Sequence, residues 1–139
     1  MPPIVRSVGA VVLGFAAIAA LSFATGEVIG RFVPGYFQPG TRITSVPLLL
    51  GAMAYVTVYA VFGCWLAARL APSRPMLHAL VLGALGLAFN VVGAVTAWDR
   101  APAWYYVASL LLVMPYAYLG GRIRERQLES RQPEVVVAA

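Results

Sequence analysis

The stretch that decides the fold is Leu77–Trp98, LHALVLGALGLAFNVVGAVTAW, an apolar run that no acidic, lysine or arginine residue interrupts. Within it Ala79, Gly83, Gly86, Asn90, Gly93 and Ala97 recur at alternating steps of four and three, which keeps all six on one stripe of a helix. A bilayer core of ~30 Å needs about 20 such residues to cross it. Lipid tails are as apolar as leucine, so helices inside a bilayer have little hydrophobic reason to pair, and close backbone approach along small residues must supply the contact. The stripe therefore predicts a helix-packing seam of Ala79, Gly83, Gly86, Gly93 and Ala97 with one polar side chain, Asn90, at its middle. Leu82, Leu85 and Val92 lie off the stripe and are expected to face lipid.

Three further apolar runs surround it. The expected spans cover about residues 4–29, 47–70, 76–98 and 103–119, joined by turn-forming segments. In Arg31–Val46 the dipeptides Pro34-Gly35 and Pro39-Gly40 mark turns, and Phe32, Tyr36 and Phe37 suit the membrane interface. Ser45 is a candidate cap for the second span, with Pro47 in its first turn. Ala71-Pro72-Ser73-Arg74-Pro75 is so short that the second and third spans must be antiparallel neighbours. The fourth span opens on Trp104-Tyr105-Tyr106 and closes on Tyr116 and Tyr118, an aromatic belt at each end, with Pro115 removing one helical hydrogen bond.

Composition points the same way. Of 139 residues, 61% are hydrophobic and 11% charged, against roughly a quarter charged in soluble domains. The expectation is an all-α, integral membrane four-helix bundle over residues 1–121 and a charged tail over 122–139, the tail beginning as a short helical extension and ending in disorder. Arg6 followed by an apolar run also fits a signal peptide, but the run is long and no A-x-A site follows, so it is expected to stay as the first helix.

Every basic residue is an arginine, ten in all, giving a formal net charge of +5. They sit at the ends of the spans, where they act as topology signals rather than phosphate contacts, so no nucleic-acid partner is expected. Arg6, Arg69, Arg74, Arg122, Arg124, Arg126 and Arg131 fall at one end of a four-span layout, and Arg31, Arg42 and Arg100 at the other. The richer end predicts cytoplasmic termini in a bacterial inner membrane, with the lipid bilayer, a larger membrane complex or a second copy of the chain as partners.

The chemistry-bearing residues are few. Glu27 and Arg31 are spaced i, i+4 with the acid first, the favourable order for a helical ion pair. An acid within the hydrocarbon would instead suggest cation or proton handling. About 21 positions separate Glu27 from Arg6, some 31 Å at ~1.5 Å per residue, which puts it at the far edge of the core and favours the interfacial pair. Asn90 is expected to hydrogen-bond across helices, at an average worth of ~0.6 kcal/mol, more than to contact a substrate. His78 is the one histidine, beside Arg74 and expected to be solvated, with a protonation switch as the other possibility. Cys64 is the one cysteine, which excludes an internal disulfide or a thiolate metal site. No phosphate loop, HExxH pair, catalytic triad or carboxylate pair occurs, so neither a cofactor, a metal nor an enzymatic activity is expected.

Two resemblances extend this picture. Four short spans and the string Glu27-Val28-Ile29-Gly30 resemble small multidrug resistance transporters, a likeness that implies a proton-coupling acid; in that family the acid is mid-membrane, whereas Glu27 ends its span. Phe37-Gln38-Pro39-Gly40, Ala67-Ala68-Arg69-Leu70-Ala71 and Leu119-Gly120-Gly121-Arg122 are similar to motifs of an uncharacterised group of four-span bacterial inner-membrane proteins. That likeness implies a fold and no activity. The sequence thus predicts a structural or accessory subunit that packs through small-residue helix faces; the alternative is a small transporter or channel using Glu27 and Asn90. A polar, water-accessible cavity joining those two residues would favour the alternative.

Overall fold

Long apolar runs without charges have one way to satisfy their backbone in lipid, the α-helix, and the computed structural model, described here for residues 2–132, is built from four of them. They are α1 (Pro3–Phe32), α2 (Val46–Leu70), α3 (Pro75–Thr96) and α4 (Ala103–Glu129), with one 3-10 turn at Trp98–Arg100 and no strand among the described residues. All four are long and apolar enough to cross a membrane. α2 and α3 each pack on the other three helices, while α1 and α4 lie on opposite sides of that central pair. The protein is a four-helix membrane bundle.

Helix boundaries follow local chemistry. α1, α2 and α3 each begin with a proline in the first turn, where its missing N–H is no loss. Ser45 precedes α2 but makes no side-chain cap; only its carbonyl joins the helix, accepting from Leu49 N–H at 3.0 Å. After α1, two turns of one design follow. In Val33-Pro34-Gly35-Tyr36 and Gln38-Pro39-Gly40-Thr41 the fourth residue's N–H donates to the first residue's carbonyl at 3.2 Å, and Gly35 and Gly40 take φ values of 81° and 78°. Proline presets the first central position and glycine supplies the left-handed second one. Ile43 N–H then donates to Arg100 carbonyl at 2.8 Å, tying this loop to the α3–α4 connection. These two connections form the loop end of the bundle; the opposite, arginine-rich end holds the start of α1, the α2–α3 link and the end of α4.

α4 does not stop at Leu119, where the fourth span was expected to close. It continues through Gly120-Gly121 to Glu129, because both glycines are buried against neighbours instead of exposing backbone to water. The helical extension expected of the tail is thus the same helix, and Trp65 Nε1 donates to Gln127 Oε1 at 2.9 Å to hold it on α2. The arginine Arg69 lies 5.2 Å over the Trp65 ring, completing that corner. Residues 133–139, expected to be disordered, lie outside the described residues.

Packing is inverted relative to a soluble bundle. Buried positions are mostly small, such as Ala10, Ala52, Ala67, Ala68, Ala79 and Ala117, and among the described residues only Leu49 and Leu82 are large and fully enclosed. Bulky apolar side chains point outward on every helix, including Phe23, Val58, Val95 and Leu111. A soluble protein would not tolerate such a surface, whereas lipid solvates it. Two buried clusters result. Cys64, Ala67, Ala68, Ala79, Leu82 and Ala117 form one toward the arginine-rich end. Tyr36, Ile43, Leu49, Ala52, Ala94, Ala101 and Tyr106 form the other at the loop end.

Several expectations about faces are corrected. The seam on α3 packs closely only in its first half, where a Cβ on Gly83 would run into the Ala117 Cβ and Ala79 is fully buried. At Gly86 a Cβ would meet only Val113 at 3.7 Å, an ordinary contact, and at Gly93 it would meet nothing within 4 Å. Leu82, expected to face lipid, is 1% exposed and packs toward Gly14 of α1. α3 has neighbours on more than one side, so a residue off one seam falls on another. The aromatic belts are partial as well. Trp104 and Tyr118 are exposed, but Tyr106 is buried and donates to Ala97 carbonyl, and Tyr116 reaches inward to Thr57.

Candidate site: a chamber and a vestibule at the loop end

Between the two buried clusters the helices part. The tight approaches are at the arginine-rich half: Gly14 against Gly63 joins α1 to α2, Gly120 against Val61–Trp65 joins α4 to α2, and Gly121 against Met76 and Ala79 joins α4 to α3. Beyond Gly86, Phe89, Tyr105, Tyr106 and Tyr116 line a chamber of about 400 Å³. That is roughly two to three times the ~150 Å³ apolar cavity that accommodates a benzene ring. Its wall is largely apolar, including Ile18, Met53, Val56, Leu82, Ala94 and Val113, with Asn90, Ser109 and three tyrosines as the polar positions.

Polar groups around the chamber are mostly spoken for. Thr57 Oγ1 donates to Met53 carbonyl at 2.6 Å and lies 2.7 Å from Tyr116 Oη. A hydroxyl has one proton, so the tyrosine donates to the threonine and the pair bridges α2 and α4. Asn90 does not bond across helices as expected: its Nδ2 donates to Gly86 carbonyl one turn back at 2.9 Å, and its side chain is exposed at the chamber. Among the described residues Asn90 makes no side-chain hydrogen bond to another helix, so the anticipated glue is absent.

A second, more open cavity of about 600 Å³ lies outside the first, between the end of α1 and the Pro-Gly loop. Ser22, Phe23, Glu27, Arg31, Tyr36, Gln38 and Tyr55 are on its wall. Glu27 and Arg31 share this vestibule without pairing; among the described residues the one ion pair is Arg122–Glu125 at 3.3 Å, on the α4 extension. Tyr36 Oη and Tyr55 Oη lie 2.9 Å apart and pin the loop to α2. Burial, with the adjacent Tyr55 hydroxyl, pushes the Tyr36 phenol above its ordinary value, so this is a bond between neutral hydroxyls. Thr25 and Tyr59 make the corresponding bond between α1 and α2 at 2.8 Å.

Phe37 and Tyr105 line both cavities, their ring centroids 5.9 Å apart. Glu27 and Asn90 are therefore in separate compartments that meet at two aromatic rings. Because neither charge in the vestibule has a partner, Glu27→Gln should change thermal stability in detergent by no more than about 1 kcal/mol, the ceiling for exposed pairs. A larger loss would show that Glu27 holds the loop end together.

His78 is not solvated. It is 9% exposed at the start of α3, its Nδ1 3.1 Å from Arg74 carbonyl, far along the bundle from both cavities. Ala97 is half-buried on the chamber wall, where it was expected to pack against a helix. Phe37, Tyr105 and Ser109, with Ser22, Gln38 and Tyr55 of the vestibule, are among the site residues that sequence reasoning missed. The only available signal was the clustering of aromatic residues next to the Pro-Gly turns, which reads equally well as an interfacial belt. No group of three or more His, Cys, Asp or Glu positioned for a metal ion occurs among the described residues. No family model, curated protein or solved structure matches the chain.

Proposed function

We propose that this is a non-enzymatic accessory protein of a bacterial inner membrane whose loop-end chamber holds an apolar, membrane-partitioning molecule. The observation that carries this is the chamber itself: a largely apolar space of about 400 Å³ with a few polar groups in its lining, the combination that small-molecule sites share. The small-residue faces that could have docked another protein support it indirectly. Gly14, Gly63, Gly83, Gly120 and Gly121 are already used inside the chain, so a larger complex or a second copy would have to contact the bulky outer faces.

Filling the chamber tests the proposal. Gly86→Leu adds a side chain where the backbone leaves room, and Ser109→Phe does so from α4. Native mass spectrometry of protein released from its own membrane should find a retained apolar molecule on the wild type and at least tenfold less on both variants. Equal retention, or none on the wild type, removes the proposal.

A small transporter or channel is the second reading, favoured by the shared wall at Phe37 and Tyr105: displacing two rings would join the compartments of Glu27 and Asn90. It requires proton or cation flux in proteoliposomes that Glu27→Gln abolishes. Both readings place the two termini in the cytoplasm, on the arginine-rich side. Reporter tags on either terminus should give a cytoplasmic signal, and a periplasmic one would reverse the proposed orientation.

A further inference from the structure

The two cavities differ in chemistry but meet, and we propose that together they bind a single-chain zwitterionic amphiphile, with its apolar chain in the chamber and its phosphate and ammonium groups in the vestibule. This rests on the chamber reading above and names the ligand class for it. Charge complementarity carries the choice. On the vestibule wall Glu27 and Arg31 stand one helical turn apart with no ion pair between them, so an ammonium can face the carboxylate while a phosphate faces the guanidinium, the fork suited to it. Ser22 and Gln38 add uncharged hydrogen-bonding groups on the same wall.

Depth places a headgroup here, with its ammonium arm folded back one turn to reach Glu27, which lies nearer the chamber than Arg31. Glu27 and Arg31 occupy the last turns of α1, at the loop end, where a helix that has crossed a ~30 Å core reaches the headgroup layer. The chamber lies on the membrane side of them, at the level of acyl chains. A free polar metabolite would leave the apolar chamber empty, and a plain hydrocarbon would leave both charges unanswered.

The junction is also unusual in its backbone. Phe37 has a φ of 49°, the left-handed region that a bulky side chain rarely adopts. It is set there by the Pro34-Gly35 and Pro39-Gly40 turns on either side, and its ring makes an edge contact with Tyr36, which Tyr55 anchors. Such outliers persist where surrounding structure holds them and are concentrated at ligand clamps. Here the constraint puts an aromatic ring at the place where headgroup and chain of the amphiphile would join.

The test uses the full chain in non-ionic detergent, with binding read by native mass spectrometry. The probes are 1-palmitoyl-lysophosphatidylethanolamine, hexadecanol and free phosphoethanolamine. The lysolipid should bind, hexadecanol should bind at least fivefold more weakly, and phosphoethanolamine should not bind measurably. Glu27→Gln and Arg31→Gln should each weaken the lysolipid about fivefold, the scale of one exposed charge pair, and leave hexadecanol unchanged. Gly86→Leu should weaken both chain-bearing probes together. If hexadecanol equals the lysolipid and neither charge variant matters, the amphiphile assignment is overturned while the chamber reading stands. If phosphoethanolamine binds as well as the lysolipid, the chain plays no part and the assignment is overturned in the other direction. If no chain-bearing probe binds the wild type, both the assignment and the chamber reading fall.

Discussion

Gly120→Ala is expected to be among the most damaging single-methyl additions in this protein, lowering thermal stability in detergent by about 1–3 kcal/mol. The added Cβ would sit 2.6 Å from the Cys64 Cβ and 2.8 Å from both the Trp65 nitrogen and the Val61 oxygen. Two of these three are backbone atoms, so no rotamer change can make room, and α4 must move away from α2. That movement loosens the contact along the whole interface, including the Trp65–Gln127 bond a turn or two further on. Gly93→Ala is the matched comparison: it sits in a transmembrane helix too, but its Cβ would meet nothing within 4 Å. Alanine is a better helix former than glycine by about 0.5–1 kcal/mol, so that variant should be unchanged or slightly more stable. Equal losses in the two variants would mean that α2 and α4 do not approach as closely as described.

Leu82→Ala should cost about 2 kcal/mol, for a reason particular to membranes. In water such a truncation forfeits both the transfer of apolar surface and the contacts around the vacated space. In lipid the unfolded or separated helix is also in an apolar medium, so the first contribution nearly vanishes and the cavity remains. At ~24 cal/mol per Å³ and a vacated volume on the order of 80 Å³, the cavity alone gives that figure. Leu82 is enclosed between α3 and Gly14 of α1, whereas Leu85 on the same helix is 43% exposed to the hydrocarbon. Leu85→Ala should therefore stay within about 0.5 kcal/mol of the wild type. Similar losses for both would place the α1–α3 contact elsewhere on the helix.

The loop end shows how far local chemistry can be read and where it stops. Pro34-Gly35 and Pro39-Gly40 announce turns because each dipeptide fits one backbone shape and few others, and both glycines take the left-handed φ those turns require. Nothing in the same string announces that Phe37, between the turns, would stand at the meeting point of two cavities. Glu27 and Arg31 have the spacing of an ion pair, yet that spacing permits the contact without forcing it, and a vestibule beside them lets both side chains stay apart.

The sequence by itself determined the number of helices, where they start, which ends share a side and which connections are tight. Those properties depend on run length, proline and glycine positions and arginine placement, all of which act within a few residues along the chain. Only the tertiary structure decided which faces are inside. Leu82 and Leu85, or Gly83 and Gly93, are the same residues in near-equivalent surroundings along one helix, and in a lipid solvent the outside is as apolar as the inside, so hydrophobicity cannot tell them apart. Their fates differ because Ala117 of α4 lies against Gly83, whereas nothing lies within 4 Å of a Cβ on Gly93. Which residue of one helix meets which of another is a property of helix pairs, and it also decides which side chains line the chamber.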